Sequence, residues 1–199
     1  MTTGVDFPEI GGTGQAVQPG GIGPPGPERA DPGGGGGDDG ARLAAFVRAL
    51  SRNFTVIAND LDVLLEVPEE WALEARQVWQ QLENVIPEAV SYLASENEDT
   101  DQRNLAQHGL AGISLNSKLA GFERAQTFWQ RHRNHDQPDA RRTGVRQLIR
   151  WSKSILDSLI EVVKTNTYVR AILEAVGEGV DLIGNMILDA EDERHVAGL

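Results

Sequence analysis

Apolar side chains recur at three- and four-residue intervals from Leu43 nearly to the end of the chain. The clearest run is Thr143 to Val163. Val145, Leu148, Ile149, Ile155, Leu156, Leu159, Ile160 and Val163 fall on one face there, with the small Ser152 among them. Arg146, Arg150, Lys153, Asp157 and Glu161 take the opposite face. That spacing is the mark of an amphipathic helix, and its apolar stripe is wide enough to need cover from more than one neighbour.

The same reading gives the other elements. Leu43, Phe46, Val47, Leu50, Phe54, Ile57, Leu61, Leu64 and Leu65 make a first helical stripe reaching about Glu66, with Asp38 and Asp39 as N-cap candidates. Pro68 ends it and suits the start of a second helix carrying Trp71, Ala75, Val78, Trp79, Leu82 and Ile86. Pro87 predicts a kink, or a new short helix through Val90 and Leu93. A third helical region spans about Gln102 to Arg133, as one helix or as two broken near Ser114. The polar stretch from His132 reads as a loop, with Pro138 as a breaker. A last helix is capped by Asn166 or Thr167 and carries Tyr168, Val169, Ile172, Leu173, Val176, Val180, Ile183 and Ile187. No strand period and no internal repeat is present. The expectation is an all-α fold, an antiparallel bundle of four to six helices over residues 41–190, with an acidic C-terminus at 191–199 that frays.

Composition changes the picture most before residue 41. Fourteen of the 22 glycines and six of the nine prolines lie in residues 1–40, with few large apolar groups between them. Such a segment buries too little to offset the entropy of ordering, so it reads as a disordered low-complexity tail. The chain has no cysteine, which removes disulfides and thiolate chemistry and suits a cytoplasmic setting. No apolar run is long enough to span a bilayer.

Charge is segregated rather than spread. Residues 118–153 hold nine Lys or Arg against three acids, a net of +6, whereas the chain as a whole carries −12. Two arrangements account for this. The basic hairpin lies against acidic helices of its own bundle, or it presents Arg131, Arg133, Arg141, Arg142, Arg146 and Arg150, with Trp151 beside them, to a partner. The partner expected is a protein, or a second copy of the chain. An anionic membrane surface engaged by the hairpin and the last helix is the alternative. Nucleic acid is not expected at this global charge.

Candidate chemistry adds little. His132 and His135 have an H-x-x-H spacing, but four arginines crowd the same stretch and would repel a cation. The many carboxylates lack the Glu-x-x-His pairs of a di-metal bundle, and no serine sits in a nucleophile elbow. The reading is a non-enzymatic adaptor or regulatory module with no catalytic residue, cofactor, metal or small-molecule substrate.

Overall fold

The computed structural model describes residues 36–95, 113–134 and 136–198. The tail before residue 36 and the acidic turn and helix start expected over 96–112 lie outside the described residues. The described part is all-α, with six helices: α1 (Gly36–Asn59), α2 (Leu61–Leu65), α3 (Glu69–Ala94), α4 (Ile113–His132), α5 (Pro138–Val162) and α6 (Thr167–Val196).

The five long helices form a ring in the order α1, α3, α6, α5, α4. Cross-contacts give the directions. Trp79 and Glu83 of α3 meet Thr55 of α1, and Arg76 meets Asn59, so these two helices are antiparallel. Gly179 of α6 lies on Trp79 and Leu82, while Tyr168 faces Glu88. Lys153 of α5 pairs with Asp181 of α6, and Arg146 with Glu191. Lys118 of α4 donates to the Ser154 carbonyl at 3.0 Å and to Ser158 Oγ at 2.8 Å on α5. Five helices in a ring cannot all alternate, so one adjacent pair must run parallel. That pair is α1 and α4, joined by an Arg42–Asn116 hydrogen bond of 2.8 Å and by the edge-on Phe46–Phe122 contact at 4.9 Å.

The apolar stripes meet inside this ring. Trp79 and Trp129 are each 1% exposed, and Leu148, Ile155 and Leu156 are fully buried. Trp79 packs its ring 5.3 Å from Phe54 and places its indole N–H on Thr55 Oγ1 at 3.1 Å, so its polar edge is satisfied where its bulk is hidden.

Several boundaries differ from the sequence expectation, each for a physical reason. The first stripe is not one helix. The chain breaks at Asp60 and turns into α2, and Arg76 of α3 donates to the exposed Asn59 carbonyl at 2.7 Å, which satisfies the end of α1. Glu66 then stops α2 in the left-handed region, at φ 56° and ψ 37°. Of the two outcomes expected at Pro87, the restart as a new short helix does not occur: α3 runs through the proline, held by the buried Ile86, Ala89, Val90 and Leu93 on either side. In the last helix Gly179 admits a neighbour from α3. A Cβ on Gly179 would stand 2.6 Å from Leu82 Cδ1. α6 stays helical to Val196, tied down by ion pairs from Glu191 and Arg194.

Candidate functional site

The basic segment is the α4–α5 hairpin. Its loop is shorter than the sequence suggested, because α5 already begins at Pro138. Proline lacks the N–H that a first helical residue would leave unpaired, and its fixed φ suits that position. Arg141 and Arg142 therefore sit on the opening turns of a helix rather than in a loop. Arg146 and Arg150 follow at four-residue steps from Arg142.

Arg142 and Arg146 turn inward along the bundle surface. Arg142 donates to Glu66 at the end of α2 and to Asp139 at 3.3 Å, and it lies 3.8 Å from Glu191 of α6. Arg146 pairs with Glu191, and Arg194 of α6 reaches back to the same Glu66. Three arginines and two glutamates thus join α2, α5 and α6 around a cleft of about 600 Å³. One helical turn beyond Arg150, Lys153 pairs with Asp181. For Arg142, Arg146 and Lys153, then, the charge segregation is answered inside the fold. The sequence reading missed Glu66, Glu191 and Arg194. Glu66 closes the first apolar stripe and the other two lie in the segment expected to fray, so nothing local marked them.

The other arginines are differently placed. Arg131, Arg133 and Arg141 make no ion pair with any described residue, and Arg131 and Arg150 are exposed. Arg131 lines a shallow hollow on α4 of about 520 Å³, together with Arg124 two helical turns earlier. Arg150 sits over the Trp151 ring, 5.7 Å from its centroid, in cation–π range. Trp151 itself is half-buried on the α4–α5 seam. A Cβ on Gly121 would come within 2.5 Å of its ring, so the indole packs face to backbone against α4.

Gly121→Ala is therefore expected to destabilise the domain by about 1–3 kcal/mol, since a rigid ring and a helix backbone must separate. Chemical denaturation of the variant checks this. A loss below ~0.5 kcal/mol would mean that the indole is free to swing aside, as a contact residue awaiting a partner would be.

His132 stacks on Phe128 with centroids 4.1 Å apart, and its Nδ1 lies 2.8 Å from the Phe128 carbonyl oxygen, to which it must donate. Its expected companion, His135, lies outside the described residues. Among the described residues no group of three or more His, Asp or Glu is placed to hold a metal ion. No helix among them is long and apolar enough to cross a membrane. The chain matches no protein-family model, no curated protein and no solved structure.

Proposed function

We propose that this chain is a non-enzymatic interaction module of the cytoplasm, a rigid helical bundle that docks an acidic segment of a protein partner on the outer face of its α4–α5 hairpin. The observation that carries the reading is the division among the hairpin's cations. Arg142, Arg146 and Lys153 are committed to acids of α2 and α6, whereas among the described residues Arg131 and Arg133 meet no counter-charge and Arg150 meets only a tryptophan face. Exposed, unpaired arginines retain their full fork of donors for carboxylates.

The alternative, an anionic lipid surface engaged by the hairpin and the last helix, has less support. α6 buries eleven residues between α3 and α5, from Val169 to Ala190, and could meet lipid only by leaving the core. Of its glycines, Gly179 is accounted for by close packing against α3.

Reversing Arg131, Arg133 and Arg150 to Glu together is the test. Surface changes of this kind shift stability by ~0.5 kcal/mol or less apiece, so the fold should hold. Association with a partner recovered from the native host should weaken on reversal, and the wild-type association rate should fall steeply with salt, since exposed charges are screened within ~8 Å at physiological ionic strength. Partner binding that ignores both the reversal and salt would dismiss this face. Co-sedimentation with vesicles containing anionic lipid, lost on the same reversal and absent for the partner, would favour the membrane reading instead.

A further inference from the structure

We propose that the cleft between α2, α5 and α6 is a binding site for a phosphate dianion, free or carried as a phosphomonoester, gripped by Arg142, Arg146 and Arg194. This site is separate from the outer face of the hairpin and does not depend on the docking role given to it.

Three observations converge on the cleft. First, its guanidinium donors outnumber the acceptors that meet them. Arg142 Nε and Arg194 Nη2 are buried and have no hydrogen-bond partner, although their side chains are otherwise engaged. Buried donors of a charged group are costly to leave unmet, and a tetrahedral oxyanion supplies several acceptors at once. Second, α5 opens on the cleft, with Pro138 and Asp139 in its wall. Its N-cap residue, Gln137, makes no side-chain capping bond. The positive end of a 25-residue helix therefore faces the same space. Third, Glu66 holds its place at a cost. It is the only non-glycine residue with positive φ among those described, a backbone region that ordinary side chains disfavour. From there one carboxylate oxygen takes hydrogen bonds from both Arg142 and Arg194. That bridging oxygen between two arginines is the position a phosphate oxygen would take.

The charges balance in the unliganded cleft. Three arginines face Glu66, Glu191 and Asp139, the last almost fully exposed at 97%. A phosphate therefore competes with Glu66 for Arg142 and Arg194. This predicts opposite effects from two substitutions on the same network. Glu66→Gln removes the competing charge and should tighten phosphate binding. Arg194→Gln removes a grip and should weaken it about tenfold or more, the usual scale for one charge-assisted hydrogen bond.

The experiment is calorimetric titration of the full chain with orthophosphate and, separately, with O-phosphoserine, at an ionic strength fixed with sodium chloride. Circular dichroism confirms that each variant is folded. Saturable one-site binding of either probe, tightened by Glu66→Gln and weakened by Arg194→Gln, is the expected result. Preference for O-phosphoserine assigns the site to a phosphomonoester, and preference for orthophosphate to the free ion. If neither probe binds saturably, or if both variants bind as the wild type does, the cluster is an internal strut and the proposal is wrong. Melting temperature adds an independent arm, since a ligand of the folded state at free concentration L stabilises it by RT ln(1 + L/Kd) and raises the midpoint as its concentration rises. A strut would show only the loss of stability on Glu66→Gln, with no recovery on adding phosphate.

Discussion

Trp79→Ala will cost the bundle about 3–5 kcal/mol, the range for emptying a large aromatic site in a packed core. The residue is 1% exposed and touches three helices at once: its own, α1 through Phe54 and Thr55, and α6 through Gly179. Gly179 makes the site unforgiving. The α6 backbone approaches because it has no side chain there: Leu82 takes the space a Cβ would need, at 2.6 Å, and the indole fills the space beside it, at 3.4 Å. Alanine leaves that space empty, and two helices cannot both move inward to fill it. At roughly 2–4 °C per kcal/mol for a domain of this size, the melting temperature should fall by about 6–20 °C. Trp79→Phe separates bulk from polarity. It keeps most of the ring and removes the indole N–H that Thr55 accepts, leaving that hydroxyl the Ser51 carbonyl and Glu83 to donate to. The phenylalanine variant should lose only about 1–3 kcal/mol. Equal losses in the two variants would place the energy in the hydrogen bond and not in the packing.

Leu156→Ala and Leu159→Ala are each expected to cost about 2–5 kcal/mol. Both leucines lie on α5, at 0% and 1% exposure, on the stripe that α4 and α6 cover from either side. Leu156 lies one position from Ile155, also fully buried, so the deleted methyls have packed neighbours on both flanks. Urea unfolding measures the loss, and an unchanged slope would show that the unfolding unit is still the whole bundle. A cost below ~1 kcal/mol at both positions would mean that α5 is not the shared wall of two helix pairs.

The hairpin now divides into two kinds of arginine with different consequences. Substitutions at Arg142 and Arg146 act on a network that ties three helices together, so they report on stability as well as on anything bound there. Substitutions at Arg131 and Arg133 touch no counter-charge among the described residues, so they report on an external partner. An experiment that reverses Arg141, Arg142 and Arg146 together would mix the two effects. Exposed pairs are worth only ~0.2–1 kcal/mol each, and several joined in one cluster exceed that only through geometry.

Much was determined by the sequence itself. The three-and-four spacing from Leu43 onward required amphipathic helices, because that period closes on one face of a 3.6-residue turn and of no other regular structure. It placed Trp79, Leu156 and Leu159 inside, since a residue on the stripe has nowhere else to go. The +6 excess of residues 118–153 also stood in the sequence, and so did the choice it posed between an internal partner and an external one. What the period does not carry is where a helix stops and which residue faces another helix. The break at Asp60 preserves the stripe, because Ile57, Leu61 and Leu65 are all buried on both sides of it. Only Arg76, seventeen residues away, satisfies the carbonyl that the break exposes. Pro87 reads as a breaker locally, and the buried residues around it outweigh the single hydrogen bond it removes. The arginines show the same limit most sharply. Arg131 and Arg142 are alike in a sequence, both basic in a basic stretch. Their difference lies in Glu66 and Glu191, 76 and 49 positions away along the chain, which the packing of α2 and α6 on α5 brings beside one of them and not the other. Charge is a property of the residue, but its pairing is set by which helices share a seam, and that was decided only when the ring closed.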